Sequence, residues 1–277
     1  MKTFLVATDF SAASRSATHY GIELARALNG RVILFSAFQQ VPVVLTDSLV
    51  AAAPANMGEA VQQQLEAEAD FLNSEEATPV EIMAKEGPIA NAILEAAKEM
   101  NADLILAGIK GAGKATRRFF GSTVTSLAKK TTVPLIVVPE EASYKRPATI
   151  ALANDISFHA GTHVLDILRT LVKRFHSTLY IVRVVTNKTN EVVEILNRPF
   201  NLTEMVSKLD PLYEYPLDKN IVKALQHFIS THQVNLLAMV PHRKSPPERW
   251  FIRSKTREMI FETNIPLLIL PEITHTN

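Results

Sequence analysis

The sequence predicts an α/β protein made of two tandem domains, each a parallel sheet flanked by helices. Three observations carry this. Strand and helix patterns alternate through residues 1–139, as in a doubly wound parallel sheet. The same pattern returns after residue 147, so the chain reads as a repeat. In the first copy the apolar run Ala102–Ala107 leads into a glycine-rich loop and then a helix from Ser122, the layout of a ligand-binding crossover.

The first strand is Thr3–Thr8, apolar and short enough to be buried on both faces. Asp9-Phe10-Ser11 follows, and Ser11 suits the N-cap of a helix running to Leu28. Asn29-Gly30 is a helix stop. Arg31–Phe38 is the second strand, Gln39–Met57 an irregular loop, and Gly58–Asn73 a helix rich in good helix formers. Val80–Lys85 is the third strand, and Gly87-Pro88 opens a helix to Met100. The fourth strand ends at Ala107, with Gly108 following it, and the fourth helix spans Ser122–Lys130. Pro134–Pro139 is the fifth strand; its terminal prolines favour an edge or terminal place over a central one.

Glu140–Arg146 reads as a linker between domains at 1–141 and 147–273. Thr149–Ser157 restates Thr3–Ser11, with Asp155 in the place of Asp9. Ile265–Pro271 restates Val133–Pro139. Between them are expected a helix at about His159–Phe175, a strand at Thr178–Val185, a short helix near Leu202–Leu209, a helix at about Leu217–His232 and a strand at Val234–Val240.

Composition narrows the function. A formal net charge of +1 provides no field that argues for nucleic acid. With no cysteine there is no disulfide, thiolate metal site or thiol nucleophile. The apolar start of the chain stops at Asp9, too short for a secretory segment, and no apolar run reaches membrane-spanning length. The expected location is the cytoplasm.

Glycines let a backbone approach a ligand closely. A helix N-terminus adds unpaired N–H groups and a positive dipole end. Strand, glycine loop and helix together therefore make a phosphate cradle. Lys110, Lys114, Arg117 and Arg118 add positive charge to it. The loop nearly contains a P-loop, but Ala115 follows Lys114 where Ser or Thr is needed to hold Mg²⁺.

Gly108-x2-Gly111-x9-Gly121-Ser122 resembles the signature of the ATP-binding universal stress proteins. Thr8-Asp9-Phe10-Ser11 is similar to that family's first-strand motif, and Val133–Pro139 to its last strand. The resemblance implies Rossmann-like, adenine nucleotide alpha hydrolase-like domains, each a five-stranded parallel sheet flanked by helices, that pair through their last strands. Here that pair would be an intramolecular pseudo-dimer, with a homodimer of chains also possible. It implies ATP or AMP as ligand, with Mg²⁺ possible alongside ATP. Asp9, beside Thr8, would meet the adenine or ribose region, and the Ala37 backbone the adenine edge. Gly108, after Ala107, would lie against the ribose, and Lys110, Gly111, Gly121, Ser122 and Thr123 would surround the phosphates.

The second copy departs from this pattern. Counting from the matched prolines, Val240 stands for Gly108, Arg243 for Gly111 and Arg253 for Gly121; only Ser254 matches Ser122. The loop Pro241–Ser254 has no glycine, so its cations would hold an anion by side chains or cover a domain interface.

Other signals have plain readings. Asp9 is either a helix-start residue or a ligand contact, and the roles are compatible. His159 and His163, four apart without an H-E-x-x-H motif, are ordinary helix histidines. Phe119-Phe120 and Trp250-Phe251 read as packing, and His242-Arg243-Lys244 as an anion contact or a solvated run. No catalytic constellation is visible. The function expected is a nucleotide-binding regulator of a stress response. The alternatives are a partner-binding scaffold that ignores nucleotides and a slow ATPase.

Overall fold

The computed structural model describes residues 2–39, 57–75, 78–110, 122–153, 165–186, 206–241 and 249–271, and of residues 75 and 249–254 the backbone alone. Among the described residues ten strands form one sheet: β1 (Thr3–Ala7), β2 (Arg31–Phe38), β3 (Val80–Glu86), β4 (Leu104–Ile109), β5 (Leu135–Pro139), β6 (Thr149–Ala153), β7 (Thr178–Val182), β8 (Leu212–Glu214), β9 (Leu236–Met239) and β10 (Leu267–Ile269). Their order is β3-β2-β1-β4-β5-β10-β9-β6-β7-β8. Every neighbouring pair is parallel except β5 with β10. The second half thus repeats the first strand for strand, and the halves join through their last strands.

Burial explains the apolar runs. Phe4 and Val6 pack in one core and Leu5 in the other, because alternate side chains of a strand point to opposite faces. The first core also takes α1 (Ala12–Leu28), α2 (Met57–Glu75) and α5 (Asp166–Phe175). The second takes α3 (Ile89–Glu99), α4 (Ser122–Lys130), α6 (Ile221–Thr231) and α7 (Arg249–Glu262). Both cores run across the β5–β10 seam, with Ile136 and Leu268 in one and Val137 and Leu267 in the other.

Local signals behave as expected for α1. The Ser14 N–H donates to Ser11 Oγ at 3.3 Å, and Asn29 turns left-handed at φ 52° to end the helix. Pro88 sits at the N-cap position of α3, just after Gly87 at φ 144°.

Several elements differ from the expectation. Gly108 lies inside β4, paired with Val138, because β5 carries the ladder two residues past Ala107. β5 is terminal in its half but flanked on both sides; its prolines cost little because they stand at the strand's ends. The strand from Thr178 ends at Val182, and Val185 makes an isolated bridge with Leu217. That bridge keeps residues 217–219 out of the next helix, which starts at Ile221 behind an Asn220 cap. Of the short helix expected near Leu202–Leu209, residues 202–205 lie outside the described residues; Val206 is helical, and Ser207–Leu209 carry on as a 3-10 turn. β8 follows it as an edge strand that the sequence reading missed. The segment matched to the first-half loop is helical from Arg249, so Trp250, Phe251 and Arg253 belong to α7 and not to a loop. The expected start of the helix at His159 lies outside the described residues.

The linker is packed. Ser16 Oγ donates to the Glu140 carbonyl at 2.6 Å, and the Tyr144 ring meets Tyr20 edge-on at 5.2 Å. Arg174 Nε reaches across to the Ala27 carbonyl at 2.6 Å, tying α5 to α1.

Candidate functional site

Register gathers the expected site residues of the first half. Ala7 pairs with Phe35 on one side and Ala107 on the other, so β1, β2 and β4 end along one rim. Thr8, Asp9, Ala37, Gly108 and Lys110 all lie at or just past those carboxyl ends. The helix α4, with Ser122 and Thr123 in its first turn, follows β4 and leads into β5, so topology starts it on the same rim. Open parallel sheets bind ligands at this end, where the strand order reverses about β1.

The turn from β1 into α1 is tightly bonded. The Thr8 N–H donates to the Phe35 carbonyl at 2.8 Å, and the Thr8 hydroxyl to Ser14 Oγ at 3.1 Å. Thr8 Oγ1 also accepts from the Phe10 N–H at 3.0 Å. Phe10 is left-handed at φ 62°, unusual for a residue with a bulky side chain. Such strain persists only where the surroundings enforce it.

Asp9 is exposed and accepts the Ser11 N–H at 3.1 Å. Ser11, not Asp9, caps the helix. Partial burial would raise the Asp9 carboxyl. Hydrogen bonds from the Ser11 side chain and backbone and from Ser14 outweigh it and hold the group below its ordinary 3.8. Asp9 thus stays ionised as an acceptor at the rim.

Ala37 is half-buried and pairs with Lys85 of β3, while Ala107 is buried. Gly108 is packed against α1: a Cβ there would lie 2.0 Å from the Ala13 carbonyl oxygen. Lys110 and Ser122 are exposed, and Thr123 is half-buried. Gly111 and Gly121 lie outside the described residues, as do Lys114, Arg117, Arg118, Phe119 and Phe120.

In the second half the corresponding rim has Ala153 between Val182 and Met239. Val240 is buried at 7% exposure in the place of Gly108. Asp155, His159, His163 and His242-Arg243-Lys244 lie outside the described residues. Arg183 was missed by the sequence reading. Its signal was a lone cation inside the apolar run Leu179–Val185.

A groove of about 640 Å³ lies between α1 and α2, lined by residues including Phe10, Arg15, His19, Glu68, Phe71 and Leu72. None of the expected site residues lines it. Among the described residues no cluster of three His, Asp or Glu is placed to hold a metal, and no helix is long and apolar enough to cross a membrane.

Comparison with known proteins follows the halves. A family model described as the universal stress protein family matches residues 1–139. A universal stress protein from Archaeoglobus fulgidus DSM 4304 superposes with TM-score 0.73 at 15% identity, over 97% of this chain and 98% of that one. A functionally unknown protein from Pseudomonas aeruginosa PAO1 gives TM-score 0.62 at 12% identity, over 98% and 93%. These likenesses show the fold. A universal stress protein solved in complex with cAMP aligns with 50% of this chain and 96% of that chain, at 24% identity and TM-score 0.39, an overlap too partial to bear on the ligand here. No curated protein matches the chain by sequence.

Proposed function

The chain belongs to the universal stress protein family, and from that premise we propose that its first half binds an adenine nucleotide, ATP or AMP, as a regulatory ligand in a stress response. The observation that carries the reading is a convergence. The Gly108-x2-Gly111-x9-Gly121-Ser122 motif spans the crossing from β4 to α4. The shared register of β1, β2 and β4 sets Thr8, Asp9 and Ala37 along the same rim.

In this reading Asp9, held ionised, accepts from the adenosine portion. The Ala37 backbone meets the adenine edge. Lys110, Gly111, Gly121, Ser122 and Thr123 take the phosphates through main-chain amides, hydroxyls and one cation. Mg²⁺ would enter only with ATP. Residues 1–141 and 147–273 are the two domains, and the nucleotide shifts the population of one arrangement of the chain or of its partners.

Isothermal titration of the full chain with ATP and AMP tests this. Binding at millimolar ligand or tighter is expected, and Gly111→Val should abolish it by blocking the backbone approach. Absence of binding by the intact chain would end the reading. Mass spectrometry of any co-purifying small molecule then tells ATP from AMP.

A further inference from the structure

Arg183 is 5% exposed, and its Nη2 is buried without a hydrogen-bond partner among the described residues. Among the described residues no carboxylate lies within ion-pair distance of it. Arginine cannot shed its proton. A buried charge is costly unless it is paired. Among the described residues the arrangement therefore lacks an anion.

The position of Arg183 says where that anion would sit. It follows Val182, the last residue of β7, and its N–H donates to the Glu214 carbonyl at 3.0 Å. Strand alternation sets it on the face of Leu179 and Ile181, which pack with α5. Extending the Val182–Glu214 register puts Tyr215, 40% exposed, opposite it, while the Glu214 side chain alternates to the other face. This is the carboxyl end of the second half-sheet, where open parallel sheets take ligands.

The repeat sharpens the point. Thr3 pairs with Arg31 as Thr149 pairs with Thr178, which equates Ser36 with Arg183. Ser36 is buried at 3% exposure. The half that keeps three glycines has a small hydroxyl there; the half with Val240, Arg243 and Arg253 in their places has a buried guanidinium. We propose that the second half binds an oxyanion of the phosphate class on Arg183, by side chain instead of main-chain amides. That this rim takes a ligand at all rests on the reading of the first half; the match is to the strand end beside Ala37 and not to the phosphate loop, so the oxyanion class follows from the unpaired guanidinium itself. The bidentate fork of arginine suits such a group.

The test uses the full chain carrying Gly111→Val, which removes the first-half contribution, so the two readings fail separately. Inorganic phosphate and AMP are titrated in turn, by calorimetry and thermal shift. Phosphate should bind and raise the melting temperature. Arg183→Met should weaken that binding roughly ten- to hundredfold, the loss of a charged hydrogen bond, and Arg183→Lys should retain part of it. In phosphate-free buffer Arg183→Met should be at least as stable as its parent, because it deletes an uncompensated charge. A comparable response to phosphate and AMP supports a free-oxyanion site; binding of AMP alone supports a nucleotide phosphate. Phosphate and AMP responses untouched by Arg183→Met, or no response to either, overturn the proposal. So does equal destabilisation by Arg183→Met and Asp155→Asn in phosphate-free buffer, which would make the chain its own counter-ion.

Discussion

Gly108 meets Ala13 backbone to backbone: a Cβ on the glycine would stand 2.0 Å from the Ala13 carbonyl oxygen and 2.7 Å from the Ser14 nitrogen. Those atoms belong to the first turn of α1 and cannot rotate away, so this glycine sets how closely α1 docks on β4. Gly108→Ala should cost about 1–3 kcal/mol, the range of overpacked cores, and lower the urea midpoint. A loss of nucleotide binding in that variant would not identify a ligand contact, because the helix that orders Thr8 and Asp9 would have shifted. Unchanged stability would mean that α1 moves aside freely. Val240 in the second half cannot accept the same approach.

The Asp9 carboxyl gives the rim a pH dependence. Its folded value lies below 3.8, so ionised Asp9 is favoured by folding. That contribution is present above 3.8 and fades as pH falls through the folded value. Asp9→Asn should therefore be less stable than wild type at pH 7, with the gap closing in melts near pH 3. Because Asp9 is exposed, the gap should be small. A gap that widens toward acid would contradict the hydrogen-bond assignment at Ser11.

The apolar runs made most of the sheet legible, since strands buried on both faces have no polar alternation to confuse them. The repeat of Thr3–Ser11 at Thr149–Ser157 carried the tandem architecture, and the paired last strands followed from the family resemblance. β8 escaped because three residues, Leu212–Glu214, between Pro211 and Pro216 hold no periodicity. The start of α7 escaped because the second copy was aligned on the first, while Pro246-Pro247-Glu248 ahead of Arg249 is itself a helix-start signal. In the site, residue type suggested a ligand role for Gly108, but only three dimensions show the packing that also requires a glycine there. Arg183 lay in plain view as an arginine in a strand, and its meaning depends on burial that no sequence displays.

Ser11→Ala tests the turn itself. Ser11 Oγ accepts the Ser14 N–H, and the Ser14 hydroxyl is bonded to the Ser11 carbonyl at 3.0 Å and accepts from Thr8 at 3.1 Å. Losing the cap should cost about 1 kcal/mol, read as a lower midpoint in chemical denaturation. Because the Thr8 link does not involve Ser11 Oγ, Phe10 should stay held and nucleotide affinity should change little. A large affinity loss with an unchanged midpoint would show that the Ser11 hydroxyl serves the ligand instead.

The seam decides whether the halves behave as one body. Ile136 and Leu268 are register partners there, both fully buried, in a core that runs through both halves. A cavity at either side should cost both halves alike. Leu268→Ala should lose about 2–5 kcal/mol and lower the melting temperature by roughly 5–15 °C. Calorimetry of the wild type should give one transition with matching calorimetric and van't Hoff enthalpies, the mark of two-state unfolding. Leu268→Ala should move that transition without splitting it, since a smaller side chain leaves the β5–β10 hydrogen bonds in place. Leu268→Asp buries an unpaired charge at the same spot, and there the transition should split as the halves part. If Leu268→Ala alone splits it, packing across the seam is weaker than the shared core implies, and the two halves are joined chiefly by the linker around Tyr144.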